Sequence, residues 1–198
     1  MSRKRRSRGP RKASAPEAAP RRSALRAVLD LFEPHPYRAL EKKLNYRFRD
    51  RALLAAALTH RSYRFENREV ALDNQRLEYL GDAALGLVCA AHLYLRFPDL
   101  DEGELTQIRS DFTGARALSV IGREIGLGAH LRLGRGEQMS GGHDRASTLE
   151  DALEAVLGAA YLDGGMKAVE RIFEAGWADR LRALGGEPTG DNPKGDLQ

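Results

Sequence analysis

Leu77-Glu78-Tyr79-Leu80-Gly81-Asp82-Ala83-Ala84-Leu85-Gly86-Leu87-Val88-Cys89-Ala90-Ala91-His92-Leu93-Tyr94-Leu95 is the most informative run in the 198-residue chain. Leu77, Leu80, Ala84, Leu85, Val88 and Leu95 recur with the period of a helix that buries one face, and the stripe ends near Pro98. The 13 residues from Ala83 to Leu95 carry no formal charge, which is too short a run to cross a bilayer. Working outward, Leu53, Leu54, Ala57 and Leu58 repeat at helical spacing behind Asp50, a candidate N-cap. Residues 104–113 and 115–125 predict two more helices, the second closed by Gly126. Residues 148–162 predict another, ended by Asp163-Gly164-Gly165, and Met166 to Leu184 a last one. Gly134 to Arg145 is polar and Gly-rich and reads as a loop. A short amphipathic turn is expected from Ser23 to Phe32, stopped by Pro34 and Pro36. No run alternates as a strand does, and there is no internal repeat. The expectation is an all-α domain over residues 38–184, with a basic extension before it (1–37) and a linker after it (185–198).

The composition, 42% apolar and 30% charged, is that of an ordinary globular domain, large enough to fold without disulfides or a structural metal. Cys89 is the single cysteine, which excludes a disulfide framework and a Cys-based zinc cluster and suits a reducing, cytoplasmic setting, where no disulfide-linked partner is expected. The net charge of +4 is unevenly spread. Residues 1–26 hold 10 Lys/Arg and one acid, Glu17, whereas the remaining 172 residues hold 22 Lys/Arg against 27 Asp/Glu. The body is therefore mildly acidic and the arm strongly basic. Arg3-Lys4-Arg5-Arg6, with Arg8, Arg11 and Lys12, would attract a polyanion. Two other readings stand beside that one: a solvated, disordered arm with no partner, and an organelle transit peptide, since the arm is rich in Arg, Ser and Ala.

Two helices carry acids that packing does not explain. Glu78 and Asp82 stand four apart on one face, and like charges at that spacing cost a helix a few tenths of a kcal/mol. Their burial costs more unless a cation compensates. Arg76 could pair with one acid but could not neutralise them all. On the second helix, Ser147 and Glu150 fit a capping box, which gives Glu150 a structural task. Asp151 could merely favour the helix dipole. Glu154, beyond the first turn and between Leu153 and Ala155, has no such explanation. If the helices pack face to face, Glu78, Asp82, Asp151 and Glu154 converge. An all-oxygen anionic set suits Mg²⁺, or Mn²⁺ in its place, and phosphate-ester hydrolysis is the natural use of such a site.

At these residues the chain resembles the ribonuclease III family of double-stranded-RNA endonucleases. Asn74-Gln75-Arg76-Leu77-Glu78-Tyr79-Leu80-Gly81-Asp82 resembles the family's nine-residue signature. Further likenesses follow in order: Leu44 to Tyr63, with Ala57-Leu58-Thr59-His60-Arg61-Ser62-Tyr63; Asp101-Glu102-Gly103 with Leu105-Thr106-Gln107-Ile108-Arg109; and the Gly-rich stretch Leu131 to Gly142. The last are Asp151-Ala152-Leu153-Glu154-Ala155 and Tyr161-Leu162-Asp163-Gly164-Gly165. The resemblance implies an all-α endonuclease domain that works as a homodimer and hydrolyses both strands of an RNA duplex. The expected products carry 5′-phosphate and 3′-hydroxyl ends with short 3′ overhangs, and rRNA and mRNA precursors are the expected substrates. Carried over by position, Glu78, Asp82, Asp151 and Glu154 bind the metal, and Asp82 and Glu154 are catalytic. Tyr79 sits where the family places an aromatic that plugs into the partner subunit; by composition alone it is equally a core residue. Glu102 matches an acid kept near the site, outside direct metal contact.

Gln75 departs from the resemblance, standing where the family usually has Glu; it keeps hydrogen-bonding capacity and loses a charge, which bears on RNA engagement or the dimer contact. Asn192 to Gln198 resembles the first turn of a double-stranded-RNA-binding domain that the sequence then does not continue, so the chain reads as a fragment, a natural truncation or a short form. The alternatives to a nuclease are weaker. The His143-Asp144 doublet lies in the Gly-rich stretch without further His at helical spacing. A catalytically silent RNA-binding scaffold would be expected to lose its metal acids, and all four are present. His60 and Arg61 read as helix-end residues or substrate contacts, Cys89 and His92 as core, and Phe173 and Trp177 as core. An acidic body without an RNA-binding domain predicts weak, salt-sensitive binding, with the basic arm as a partial substitute. Deleting residues 1–26 is therefore expected to weaken duplex-RNA binding and flatten its salt dependence in a titration at several ionic strengths; unchanged affinity and slope would show that the arm contributes nothing.

Overall fold

The computed structural model describes residues 36–184. The basic arm, its expected turn at Ser23–Phe32 and the 185–198 linker lie outside the described residues. The helices are α1 (Arg38–Lys43), α2 (Arg51–Ala57), α3 (Arg61–Glu66), α4 (Gln75–Arg96), α5 (Glu102–Thr113), α6 (Ala115–Glu124), α7 (Arg135–Met139), α8 (Ala146–Gly164) and α9 (Met166–Leu184). A 3₁₀ turn at Leu127–His130 separates α6 from α7. Among the described residues there is no strand, only one isolated bridge between Thr59 and Arg132.

Local chemistry sets the helix ends. Asp50 caps α2, its carboxylate accepting the Ala52 N–H at 3.0 Å. Asp101 and Glu104 form a reciprocal capping box on α5, each side chain accepting the other's backbone N–H at 2.9 Å. Gly126, at φ 69°, turns the chain out of α6, and Gly165, also at φ 69°, lets α8 reverse into α9. Asp163, just before that reversal, ties the end of α8 to the start of α2. It accepts the Tyr46 hydroxyl at 2.6 Å and the N–H groups of Arg49 and Asp50 at 3.0 and 2.8 Å. Burial acts to raise the Asp163 carboxyl, but these donors prevail and hold it below its ordinary value. The Tyr46 phenol is pushed up to about 12 by burial and by Asp163.

Helix α8 runs through the middle of the molecule. Leu149, Ala152, Leu153 and every residue from Ala155 to Ala160 are buried, and α8 packs against α2, α4, α6 and α9. Its most extensive contact is with α4, and there the two backbones touch. A Cβ on Gly81 would lie 1.7 Å from the Glu154 carbonyl oxygen; one on Gly158 would lie 2.1 Å from the Leu77 carbonyl oxygen. On the far side, Phe173 and Trp177 of α9 stack at 4.9 Å, and the buried Trp177 indole N–H donates to the Phe112 carbonyl at 2.8 Å.

Two expectations are corrected. The Gly134 to Arg145 stretch is not all loop, because α7 forms within it: the Glu66 carboxylate accepts the Arg135 N–H at 3.0 Å, and Gln138 donates to the Leu133 carbonyl at 3.0 Å. Leu95 does not join the core but is 79% exposed, and Leu93 is buried in its place. Helix α4 outruns the reach of α8, and its last turns pack against other neighbours through a different face.

Gly158→Ala is expected to destabilise the fold by about 3 kcal/mol or more, the upper end of overpacking costs, because the added methyl meets backbone that cannot yield. Gly136→Ala, in α7 with open space around it, is expected to be neutral or stabilising by up to ~1 kcal/mol. Urea denaturation of both variants tests this, and equal stabilities would mean that the helices are not held at backbone contact.

Candidate active site

The α4–α8 crossing explains where the acids stand. Gly81 lies between Glu78 and Asp82 on α4, and the carbonyl it touches belongs to Glu154 on α8. The closest approach of the two helices therefore lies between the acids of α4 and those of α8. Glu78, Glu150, Asp151 and Glu154 are half-buried, and Asp82 is exposed at the edge. Burial is the largest influence on each half-buried acid and raises all four. Like charges raise three of them further: Asp151 and Glu150 act on Glu78, and Asp151 and Asp82 on Glu150. Glu154 is pushed highest, to about 8, by burial and then by Asp82, Glu150, Glu78 and Asp151. It is the one group that feels all the others.

Glu150 is the acid that sequence reasoning set aside. The capping box expected of Ser147 and Glu150 does not form: α8 begins at Ala146 with Arg145 in the N-cap position and no side-chain cap. Tertiary bonds fix that start. The Arg145 guanidinium donates to Ser140 Oγ at 2.8 Å and pairs with Glu137, and Asp144 pairs with Arg123 at 2.7 Å. With no capping task, Glu150 joins the cluster. Its spacing of four from Glu154 was the signal available in the sequence.

The cations that face the acids are not the expected one either. Arg61 lowers Glu78, and His60 and Arg61 lower Asp151, whereas Arg76 acts on none of them. His60 caps α3, its Nδ1 meeting the Ser62 hydroxyl at 2.8 Å and N–H at 3.3 Å. Its helix-end role and its position beside Asp151 coexist. The remaining expected residues are exposed. Gln75 is exposed at the first position of α4. Glu102 is exposed at the start of α5, where it accepts a bond from Thr106, and it perturbs none of the clustered acids. Tyr79 is 82% exposed, so it is not a core residue. His143 is held by the Gly128 carbonyl at 2.9 Å and Asp144 by Arg123, which leaves that doublet a structural role.

The donor chemistry fits a hard divalent cation: all the converging groups are carboxylates, and their mutual repulsion is what a cation would relieve. Among the described residues, no three His, Cys, Asp or Glu side chains already stand as ligands of one ion. Without a cation, repulsion should weaken the fold in a defined pH window. A carboxyl raised in the folded state favours folding fully below its unfolded value, and that advantage is lost as pH rises through the folded value, here about 8 for Glu154. In chelator, Glu154→Gln is expected to melt higher than the wild type at pH 8.5, on the order of 2–4 °C for each ~1 kcal/mol relieved. At pH 4 the two should melt alike. Scanning calorimetry at both values tests this, and a variant less stable at pH 8.5 would mean that Glu154 is compensated in a way the structure does not reveal.

A ribonuclease-III-like family model matches residues 50–181. The chain is 56% identical over 142 residues to Ribonuclease 3 of Symbiobacterium thermophilum, covering 72% of this chain and 57% of that protein. It is 44% identical over 160 residues to Ribonuclease 3 of Syntrophotalea carbinolica, covering 80% of this chain and 69% of that protein. The chain thus spans little more than half to about two thirds of the length of these relatives. Among solved structures it is similar to the nuclease domain of Ribonuclease III from Campylobacter jejuni, described for flexibility in a region involved in dimer formation. The TM-score is 0.65 at 34% identity, covering 72% of this chain and 99% of that one. The family match takes in the central crossing and all five clustered acids, and on these similarities the chain belongs to the ribonuclease-III-like family.

Proposed function

We propose that this chain is a Mg²⁺-dependent endoribonuclease that hydrolyses double-stranded RNA as a homodimer. In this reading it leaves 5′-phosphate and 3′-hydroxyl ends with short 3′ overhangs and processes rRNA and mRNA precursors in the cytoplasm. The observation that carries the reading is the meeting of carboxylates from two helices at a glycine-lined crossing, in a chain of this family. Glu78, Asp82, Asp151 and Glu154 would hold Mg²⁺, with Mn²⁺ as a substitute, and Asp82 and Glu154 are the catalytic pair. The ion, when bound, supplies charge neutralisation at the scissile phosphate and an activated water. Glu154, pushed up to about 8 by burial and its acidic neighbours, would lose its proton in holding such an ion. Glu150 adds negative charge behind these four, and Arg61 restrains the repulsion from the α3 side. Glu102 stays outside the metal's direct contacts.

The homodimer rests on α4. Tyr79, Ala83, Leu87, Ala91 and Leu95 follow one another at four-residue spacing, and Tyr79, Leu87 and Leu95 are 82%, 59% and 79% exposed. An exposed apolar row of this length suits an interface. At one end stands the Tyr79 ring; at the other lies a cavity of about 200 Å³, walled by Leu87, Ala91, His92 and Leu95 of α4 and by Met166, Glu170, Phe173 and Glu174 of α9. Tyr79 and Leu95 lie equally far from Leu87, ~12 Å either way at the helical rise. A twofold axis near Leu87 would therefore bring each Tyr79 to the other copy's cavity, the self-complementary arrangement that a symmetric dimer needs. Gln75, one turn before Tyr79, would stand at the rim of that contact.

The test is to incubate the chain with a labelled RNA duplex and Mg²⁺ beside Asp82→Asn and Glu154→Ala. Cleavage by the wild type, abolished by chelator and reduced at least ~10³-fold in both variants, is the expected outcome for groups acting at the reaction centre. Wild-type duplex binding without cleavage would favour an RNA-binding scaffold. In light scattering the wild type is expected to run as a dimer and Tyr79→Ala to shift toward the monomer; a monomeric wild type would remove the dimer from the proposal.

A further inference from the structure

Helix α3 and the segment that leads from it to Asp73 enclose a second cavity, of about 440 Å³, lined by Arg61, Arg64, Phe65, Arg68 and Asp73. Three guanidinium groups face one carboxylate in a body whose net charge is otherwise negative. Asp73 is already engaged by Arg64 at 2.9 Å, so no acid of the cavity lining is left for Arg68 or for Arg61. Arg68 lies over the Phe65 ring at 5.0 Å, a cation–π contact that steadies its guanidinium on a ring 72% exposed to solvent. Asp73 accepts the Gln75 N–H at 3.3 Å, so the cavity borders the start of α4, the helix that carries Glu78 and Asp82. A ligand lying across both would need to be anionic over the cavity and to present its reacting group next door.

We propose that this cavity is a phosphate-binding subsite, in which Arg61 and Arg68 grip a phosphodiester of the RNA backbone beside the acid cluster. Phe65 and Arg64 are positioning residues, Phe65 by holding Arg68 and Arg64 by neutralising Asp73. The planar, five-donor guanidinium matches phosphate oxygens in pairs, which a lysine ammonium does not. Strand by strand, such a grip would supply the attraction that the acidic surroundings of the reaction centre withhold. The inference rests on the reading of the chain as an RNA nuclease and adds the place where the substrate's charge is held.

The experiment measures binding of a labelled RNA duplex to the full chain without divalent metal, across a range of salt concentrations. Arg61→Gln, Arg68→Gln, Arg68→Lys and, as a control on α9, Arg171→Gln are compared with the wild type. Each of the first two substitutions is expected to weaken binding about fivefold to tenfold and to lower the salt slope by ~1. Arg68→Lys should restore the slope and only part of the affinity, and Arg171→Gln should change neither. Single-turnover cleavage in Mg²⁺ by Arg68→Gln should need about fivefold to tenfold more duplex to reach half its maximal rate. Wild-type affinity and slope in Arg61→Gln and Arg68→Gln would overturn the subsite, as would an equal loss in Arg171→Gln. Two further outcomes would also overturn it: losses confined to duplexes bearing a 5′-terminal phosphate, and competition by polyglutamate as effective as that by unlabelled duplex. If the wild type cleaves while the arginine variants are unaltered, the subsite alone fails; if the wild type neither binds nor cleaves, the nuclease reading fails.

Discussion

The contact on which the rest of the molecule depends has no side chain in it. At Gly81 and Gly158 the backbones of α4 and α8 touch, and this close approach brings the acids on either side of the crossing toward one another. Helices joined through ordinary side chains lie some 8–10 Å apart, and acids at that distance would each find water. Here α8 is buried along most of its length, so its acids are held at the edge of the core wherever α4 goes. The apolar surface of α8 and α4 stabilises an arrangement that electrostatics alone would push apart. Within each helix the i,i+4 repulsion, a few tenths of a kcal/mol per pair, is small against the burial of Leu149, Leu153, Val156 and Leu157, each worth about 1.5–3 kcal/mol. The fold can therefore carry the strain, and the strain makes the site receptive to positive charge.

That strain is partly balanced from a third direction. His60 and Arg61 come from the junction of α2 and α3, which is tied on both sides. The His60 N–H donates to the Arg132 carbonyl and the Arg132 N–H to the Leu58 carbonyl, while the Asn74 N–H just before α4 donates to the Thr59 carbonyl. Thr59 and Asn74 are buried, so these bonds are shielded from competition by water. The cations are thus held in register with the acids by backbone, not by a long salt bridge. A buried ion pair would satisfy the acids and leave nothing to attract a ligand. Offsetting them only in part, from Arg61 and His60, leaves Glu154 short of compensation.

The helical periods of α4, α8 and α9 were legible in the sequence because their buried faces recur over many turns; α9 begins and ends where its period does. The Asp50 cap was legible because it needs only its own neighbours. What was not legible depended on distant contacts. The start of α8 was misassigned because Ser147 offers a good local cap, yet the bonds of Arg145 and Asp144 to Glu137, Ser140 and Arg123 set the start earlier. That single shift concealed Glu150. The choice of Arg61 over Arg76 as the compensating cation could not be read from position along the chain, since Arg76 is beside Glu78 in sequence while Arg61 reaches it only through the turn between α3 and α4. Leu95 satisfied the period of α4 and still lies in solvent, because period records which way a side chain points and not whether another element arrives there.

The two cavities divide the labour that the acid cluster cannot do for itself. A cluster of five carboxylates repels a polyanion, and in a body of net negative charge no broad field overcomes that repulsion. The attraction has to be local and offset from the reaction centre, close enough to direct a phosphate and far enough not to neutralise the acids. Arg61 stands at that boundary, facing the acids on one side and the arginine-lined cavity on the other. The cavity at the far end of α4, where Leu87, Leu95 and Phe173 stand beside Glu170 and Glu174, would in the proposed reading receive the second copy. Both cavities border α4 or the turn that leads into it, so the helix that carries Glu78 and Asp82 also fixes where an RNA backbone and a second subunit would be met. A displacement of α4 at its glycine crossing would disturb the acids, the arginine cavity and the exposed apolar row together, which is why that crossing tolerates no side chain.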